Sequence, residues 1–378
     1  MSASIRLSSD WKNLKSLAIF GFGRIAQGNI DLFLDLLNVT AIIDNNPAYQ
    51  NQKYRDVPII SFKQYISVNV EEKIVVLSGK KVYSSILNEL ENSGLKEYED
   101  FCHMTVFFED WFYGFNNKIC LGRTIVSLTT YCTLNCKNCN MLTPYNKNKR
   151  MYDLGFLKQD VQLLLDKVDF VSNFVVVGGE PLLYKQLPEY MEYIGENYKS
   201  KIGNIQIITN GMLIPSEKLI TTIKKYNVEI RISDYTSAVD YGEKLDCLIN
   251  LLEEKQVKWI SFKQDEWLHF GFPEESLNIA NDKSELRRHM QACQPMCPIL
   301  HDGKIFYCTS AWAAAESGLY RLEQDDIFDL NTICNENDRH ALLSFYMGDF
   351  PKGYVSFCKV CRGFDEKIQK VIPGAIQY

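Results

Sequence analysis

Leu128-Thr129-Thr130-Tyr131-Cys132-Thr133-Leu134-Asn135-Cys136-Lys137-Asn138-Cys139 is the stretch on which the fold turns. It follows an apolar run, Ile125-Val-Ser-Leu128, that reads as a strand. Three thiols spaced C-x3-C-x2-C can close round one face of a compact metal centre. A [4Fe-4S] cube takes four ligands, and a local cysteine run commonly supplies most of them. Three local thiols leave one iron without a protein ligand, able to bind and activate a small molecule.

The same punctuation recurs downstream. Phe170 to Val177 is a strand pattern ending in Gly178-Gly179-Glu180-Pro181. Ile205 to Ile208 ends in Thr209-Asn210-Gly211, and Val228 to Ile232 ends in Ser233-Asp234-Tyr235. Helical periodicity separates them at Phe156–Val168 and Ser216–Lys225. Repeated βα units predict an α/β fold with a parallel barrel or partial barrel, whose strand C-termini build the active site. The glycine and polar motifs all fall at those ends, as does the cysteine loop.

Upstream, residues 1–116 predict a small Rossmann-like α/β domain. Ser16–Phe20, Val39–Ile43 and Lys73–Leu77 read as strands, with helices between them and from Tyr83 to Glu91. Gly21-x-Gly23-x-x-Ala26, with Asp44 closing the second strand, fits the dinucleotide fingerprint, because glycines admit a pyrophosphate to the backbone at a helix N-terminus. The motif is short and isolated, so a structural or partner-docking role is preferred over a bound nucleotide. Residues 117–289 are expected to form the core barrel, and residues 290–378 an irregular, cysteine-rich and aromatic extension. Within that extension Asp302-Gly303 is predicted as a hairpin turn.

The 378 residues are 46% hydrophobic and 23% charged, with a formal net charge of −6, so no basic footprint for nucleic acid is present. No apolar run has the length of a membrane span, and Met1-Ser-Ala-Ser-Ile-Arg lacks a signal-peptide core, so a cytoplasmic location is expected. In that compartment twelve cysteines point to metal or catalysis before disulfides.

Cys132-x3-Cys136-x2-Cys139, then Gly178-Gly179-Glu180-Pro181 and Thr209-Asn210-Gly211, resembles the radical S-adenosylmethionine (SAM) enzymes across about residues 120 to 265. The resemblance implies that Cys132, Cys136 and Cys139 hold a [4Fe-4S] cluster whose fourth iron chelates SAM. It implies that Gly178, Gly179 and Glu180 receive the SAM amino group, and that Thr209, Asn210, Ser233 and Asp234 contact its ribose or carboxylate. A reductant such as flavodoxin or ferredoxin would supply the electron. Reductive cleavage would then give a 5′-deoxyadenosyl radical that abstracts hydrogen from a substrate. One position departs from the family pattern: Asn138 stands where an aromatic residue usually precedes the third cysteine, with Tyr131 the substitute considered for the adenine contact.

The later cysteines resemble the SPASM or shortened twitch extension. Cys293-x9-Gly303-x4-Cys308 with Cys358-x2-Cys361 would ligate one auxiliary [4Fe-4S] cluster, Cys293 and Cys297 competing for one ligand position. Four thiolates including a C-x2-C pair also suit tetrahedral zinc. A thiol hydrogen donor, if the reaction needs one, would be Cys297, Cys247 or Cys334. By analogy with proteins sharing such an N-terminal unit, the expected substrate is a carbohydrate, nucleotide-linked or glycosidic, undergoing epimerisation, dehydrogenation or dehydration. The alternatives are a peptide maturase and, in another class, a non-catalytic iron–sulfur electron-transfer protein.

Overall fold

Short apolar strands alternating with amphipathic helices build two units, Met1–Gly122 and Arg123–Tyr378. The computed structural model describes residues 5–68, 72–279, 282–295 and 297–378.

In the first unit the elements run β1 (Leu17–Phe20), α1 (Arg24–Leu36), β2 (Val39–Ile43), β3 (Lys53–Tyr54), β4 (Val57–Ile60), α2 (Phe62–Ser67), β5 (Lys73–Val76), α3 (Lys80–Asn92) and β6 (Phe101–His103). The sheet order is β3-β4-β2-β1-β5-β6, parallel apart from the β3–β4 pair. Leu17, Ala18 and Ile19 are fully buried, as a parallel sheet covered on both faces requires. A short α4 (Met104–Val106) runs into a wide helical stretch, Phe107–Phe115, whose Phe107 and Phe112 rings pack against Phe33.

The glycine fingerprint has a use inside the fold. Gly21 has φ +113°, and a β-carbon there would lie 2.7 Å from the Leu77 carbonyl oxygen, so only glycine fits. Asp44 accepts the backbone N–H of Phe22 at 2.7 Å and of Asn46 at 2.8 Å. Phe22 then packs edge-on against Tyr49 and Tyr54. Gly21 and Asp44 are thus engaged in shaping their own loop, while a β-carbon on Gly23 would meet nothing within 4 Å.

The second unit continues with β7 (Cys120–Ser127), α5 (Leu154–Leu165), β8 (Phe170–Val177), α6 (Leu187–Tyr198), β9 (Ile202–Thr209), α7 (Glu217–Lys225), β10 (Glu229–Asp234), α8 (Gly242–Glu254), β11 (Trp259–Lys263) and β12 (Glu266–Leu268). Then follow α9 (Lys283–Cys293), β13 (Ile299–His301), β14 (Lys304–Phe306), α10 (Thr309–Glu316), β15 (Ile327–Asp329), α11 (Glu336–Tyr346) and β16 (Val371–Pro373). Asp153 caps α5 through the Phe156 N–H and Ser216 caps α7 through the Leu219 N–H, which fixes where each helix starts.

The main sheet is ordered β11-β10-β9-β8-β7-β13-β14-β15, with β8 to β11 parallel in sequence. The cysteine-rich region is more regular than its sequence suggests. β13 pairs parallel with β7, and β14 and β15 add antiparallel beyond it, so this region extends the same sheet. The hairpin turn falls at Asp302-Gly303, both left-handed at φ 55° and 64°. Asp160 on α5 accepts both turn N–H groups, at 2.9 and 2.6 Å. No helix among the described residues is long and apolar enough to cross a membrane.

Candidate functional site

The chain leaving β7 is laid against the end of β8 by backbone hydrogen bonds. Leu128 N–H donates to Val177, Gly179 N–H to Thr129 and Glu180 N–H to Tyr131, at 2.9, 2.7 and 2.8 Å. A β-carbon on Gly179 would stand 2.2 Å from the Tyr131 carbonyl oxygen, so a side chain there would push the cysteine loop off the strand. Within the loop Asn138 is left-handed at φ 59°, a conformation asparagine tolerates far better than a large aromatic residue.

Glu180 lies wholly inside the protein. Its Oε1 accepts the Leu182 N–H at 3.0 Å and the Thr209 hydroxyl at 2.8 Å, and its Oε2 accepts the Asn210 N–H at 2.9 Å. The carboxylate ties the end of β8 to the end of β9, and burial raises its pKa to about 7 against the pull of those donors. Asn210, aligned by this brace, donates its side-chain amide to the Thr133 hydroxyl at 2.9 Å and reaches the Cys132 sulfur at 3.6 Å.

A distant segment completes the loop. β16 pairs antiparallel with β12, and residues 374–378 then cross the cysteine turn. Gln377 donates to the Cys136 sulfur at 3.1 Å and accepts the Asn135 N–H at 2.8 Å. Lys137 N–H donates to Ile376 at 2.6 Å, and Tyr378 N–H to Asn135 at 3.0 Å. Ala375 is fully buried against Leu134 and Cys136.

Cys132, Cys136 and Cys139 line a cavity of about 330 Å³ together with Gly178, Gly179, Thr209, Asn210 and Ser233. Cys293, Cys297, Cys308 and Cys361 line the same cavity. The structure therefore gathers both cysteine groups around one space, and brings Cys293 and Cys297 to it alike. Cys358 is not among the cavity walls; its thiol lies 3.9 Å from the Met290 sulfur. His289, buried, places Nε2 2.9 Å from the Cys361 carbonyl oxygen and Nδ1 3.4 Å from Asp365, which fixes the chain at that cysteine.

Not every predicted residue reaches the cavity. Glu180 is enclosed as the brace just described. Asp234 turns to the Thr236 N–H and hydroxyl, at 2.8 and 2.7 Å. Cys247 and Cys334 are exposed, on α8 and ahead of α11. Tyr131 is 43% exposed, and its ring is not among the cavity walls. The aromatic walls are instead Tyr235, Trp267, Phe270 and Phe364. Tyr235 and Trp267 meet edge to face at 5.6 Å. Arg231 also faces in, and the alternation of β10 that places Ser233 in the cavity already points to it.

Burial raises four of these thiols. Cys132 is pushed up to about 12 and Cys136 to about 11, the latter moderated by the Gln377 amide. Cys358 and Cys361 are each pushed up to about 12 for the same reason. Cys297 is held low by the adjacent Cys308 thiol, which is raised in return. Ligation of metal here must therefore release protons. Among the described residues no three His, Cys, Asp or Glu side chains crowd together as the ligands of a single ion. The amide donors on Cys132 and Cys136 suit a sulfur that carries charge.

Comparison with known proteins agrees with this geometry over the central strands. Residues 126–234 match the family model described as the radical SAM superfamily. A GTP 3',8-cyclase from Campylobacter jejuni (strain RM1221) is 25% identical over 134 residues, covering 34% of this chain and 41% of that protein. An uncharacterized protein of Methanocaldococcus jannaschii is 25% identical over 152 residues, covering 38% of this chain and 32% of that one. The chain thus spans less than half the length of these curated relatives. Among solved structures, BtrN in complex with AdoMet and 2-DOIA aligns with 64% of this chain and 93% of that chain, at 16% identity and a TM-score of 0.41.

Proposed function

We propose that the radical SAM domain at residues 126–234 makes this chain an enzyme that cleaves SAM reductively and draws a hydrogen atom from a carbohydrate-type substrate. The observation that carries the reading is the shared cavity: one cysteine loop, the β8–β10 strand ends and a second cysteine group enclose a single space. A [4Fe-4S] cluster with SAM, when bound, supplies the electron for C–S cleavage and the 5′-deoxyadenosyl radical that follows.

The chain's own residues set the frame for that chemistry. Cys132, Cys136 and Cys139 would hold the cluster, with Asn210 and Gln377 oriented on two of the sulfurs. Gly178 and Gly179 offer open backbone for the SAM amino group, and Asn210 and Ser233 offer polar atoms for its ribose and carboxylate. Glu180 serves this site through Asn210 rather than by touching the ligand. Tyr235, Trp267, Phe270 and Phe364 keep water from the reacting atoms. Cys293 or Cys297, with Cys308, Cys358 and Cys361, would hold one auxiliary cluster on the far side of the substrate. Of the three thiols considered as hydrogen donors, Cys297 alone is at the cavity, and it serves only if Cys293 is the ligand.

The carbohydrate reading is supported by the curated relative named for a reaction on GTP, a nucleotide that carries a sugar. Its first test is anaerobic. The reconstituted protein, given dithionite and SAM, is expected to form 5′-deoxyadenosine, and Cys136→Ala is expected to abolish it. An intact cluster with no product, or full activity in the variant, would sink the proposal. About eight iron atoms per chain are expected for two cubes and about four for one.

A further inference from the structure

Two arginines of the second unit, one of them at the cavity, have no role in the chemistry above. Arg231 lies on β10, one inward step deeper than Ser233, beside Ile208 of β9 and Ile260 of β11. It lines the cavity, yet its Nε is buried with no hydrogen-bond partner among the described residues. The nearest acid is already committed: Glu229 pairs with Lys258 at 2.9 Å and accepts the Gln206 amide. What supports the guanidinium is the face of Phe262, 4.9 Å away.

Arg123 on β7 repeats the pattern, with a buried Nε that likewise has no partner among the described residues. Burial and, after it, the charge of Arg123 lower the pKa of Arg231. A guanidinium with a buried N–H that has no partner is costly unless an anion completes the set. A guanidinium is also the group best shaped for a planar carboxylate or a phosphate.

We propose that Arg231 binds an anionic group of the substrate, a carboxylate or a phosphate, and so seats the substrate between the two cysteine groups. The assignment rests on the radical SAM reading for the identity of the cavity, but its anion chemistry is independent of that reaction. SAM has a carboxylate of its own. The resemblance gives the SAM carboxylate to the polar atoms of Asn210 and Ser233, whereas Arg231 starts one inward step below Ser233, beside Ile208, and rests its guanidinium on Phe262. The anion is therefore assigned to the second molecule in the cavity.

The test is calorimetric, on anaerobically reconstituted full-length protein. Inorganic phosphate, glucuronate and glucose 1-phosphate are titrated with glucose as the neutral control, and SAM is titrated separately. At least one sugar-bearing anion is expected to bind with a Kd below about 10 mM, and glucose is not. Arg231→Gln is expected to weaken that anion at least tenfold and Arg231→Lys by less, while SAM affinity changes less than twofold. Iron content and melting temperature of Arg231→Lys guard against a misfolded variant. A tenfold loss of SAM affinity in Arg231→Gln would reassign the anion to SAM and overturn the proposal. Anion binding that ignores both substitutions, or no anion binding by the parent protein, would overturn it as well. Failure to form 5′-deoxyadenosine with anion binding intact would instead count against the radical reading alone.

Discussion

Glu180→Ala separates a brace from a ligand. In the structure the carboxylate accepts two backbone N–H groups and one hydroxyl, all buried. The Thr209 hydroxyl can rotate, but the Leu182 and Asn210 N–H groups cannot. Leaving each without an acceptor costs about 1–3 kcal/mol, so the pair costs about 4 kcal/mol. For a unit the size of residues 123–378, where each kcal/mol moves the melting temperature by about 2–4 °C, the expected fall is about 10 °C. Glu180→Gln keeps one oxygen but turns an amide N–H toward one of those donors, so about half the loss is expected. The assay is anaerobic calorimetric melting of the reconstituted protein beside iron content and SAM affinity. Glu180→Ala is expected to lose stability and iron together, with SAM binding weakened only as Asn210 loosens. If it melts with the parent protein while SAM affinity drops tenfold, Glu180 is a direct ligand and the brace is refuted.

Asp160 links pH to stability. Its folded pKa is raised to about 6, chiefly by burial, from an ordinary 3.8, so the folded state keeps a proton that the unfolded chain releases between those values. Stability from this group is therefore greatest below pH 3.8 and is lost as pH rises through 6, by about 3 kcal/mol in all and about 1.5 kcal/mol between pH 5 and 8. Urea unfolding at those two pH values should show the parent protein losing about that much relative to Asp160→Asn, and a difference that does not move with pH would contradict the assignment. Gln377→Leu removes the amide donor from the Cys136 sulfur and the acceptor of the Asn135 N–H. Hydrogen bonds to sulfur raise a cluster's potential. Redox titration by electron paramagnetic resonance is thus expected to find a lower midpoint and faster iron loss to a chelator, and an unchanged midpoint would show that the contact is only mechanical.

The parts of the fold legible in the sequence were those written in neighbouring residues. Val39–Ile43 and Phe170–Val177 match β2 and β8 end for end, because an apolar run bounded by turn residues leaves little choice. The strand-end motifs were visible for the same reason. Helix bounds drifted where capping decides: α5 begins at Leu154 because Asp153 caps it, two residues before the apolar pattern is obvious. The regular structure after residue 290 was hidden by length, since strands of three residues, as in β13 to β15, carry almost no periodicity. Asp302-Gly303 was the exception, because a turn that demands two left-handed residues leaves a signature. In the site, most residues chosen by local spacing reached the cavity, Asp234 and Cys358 excepted, while Trp267, Phe270 and Phe364 did not stand out, since nothing local separates a wall from a core. Glu180 shows a different gap: sequence shows which residue stands in a motif but not whether its oxygens are already spent.

The clasp by residues 374–378 bears on the order in which this protein is made. Cys136 and Gln377 are separated by 241 positions along the chain. A ribosome working from the first residue onward releases the cysteine loop long before its clasp exists. Until then Asn135 and Lys137 lack their backbone partners and the Cys136 sulfur lacks its amide donor. A loop in that condition can wander among the nine cysteines outside it, none of them in a disulfide. Iron loading that waits for the clasp meets a loop with its shape already set. An assembly factor acting on the nascent chain would have to hold the loop in place of Gln377.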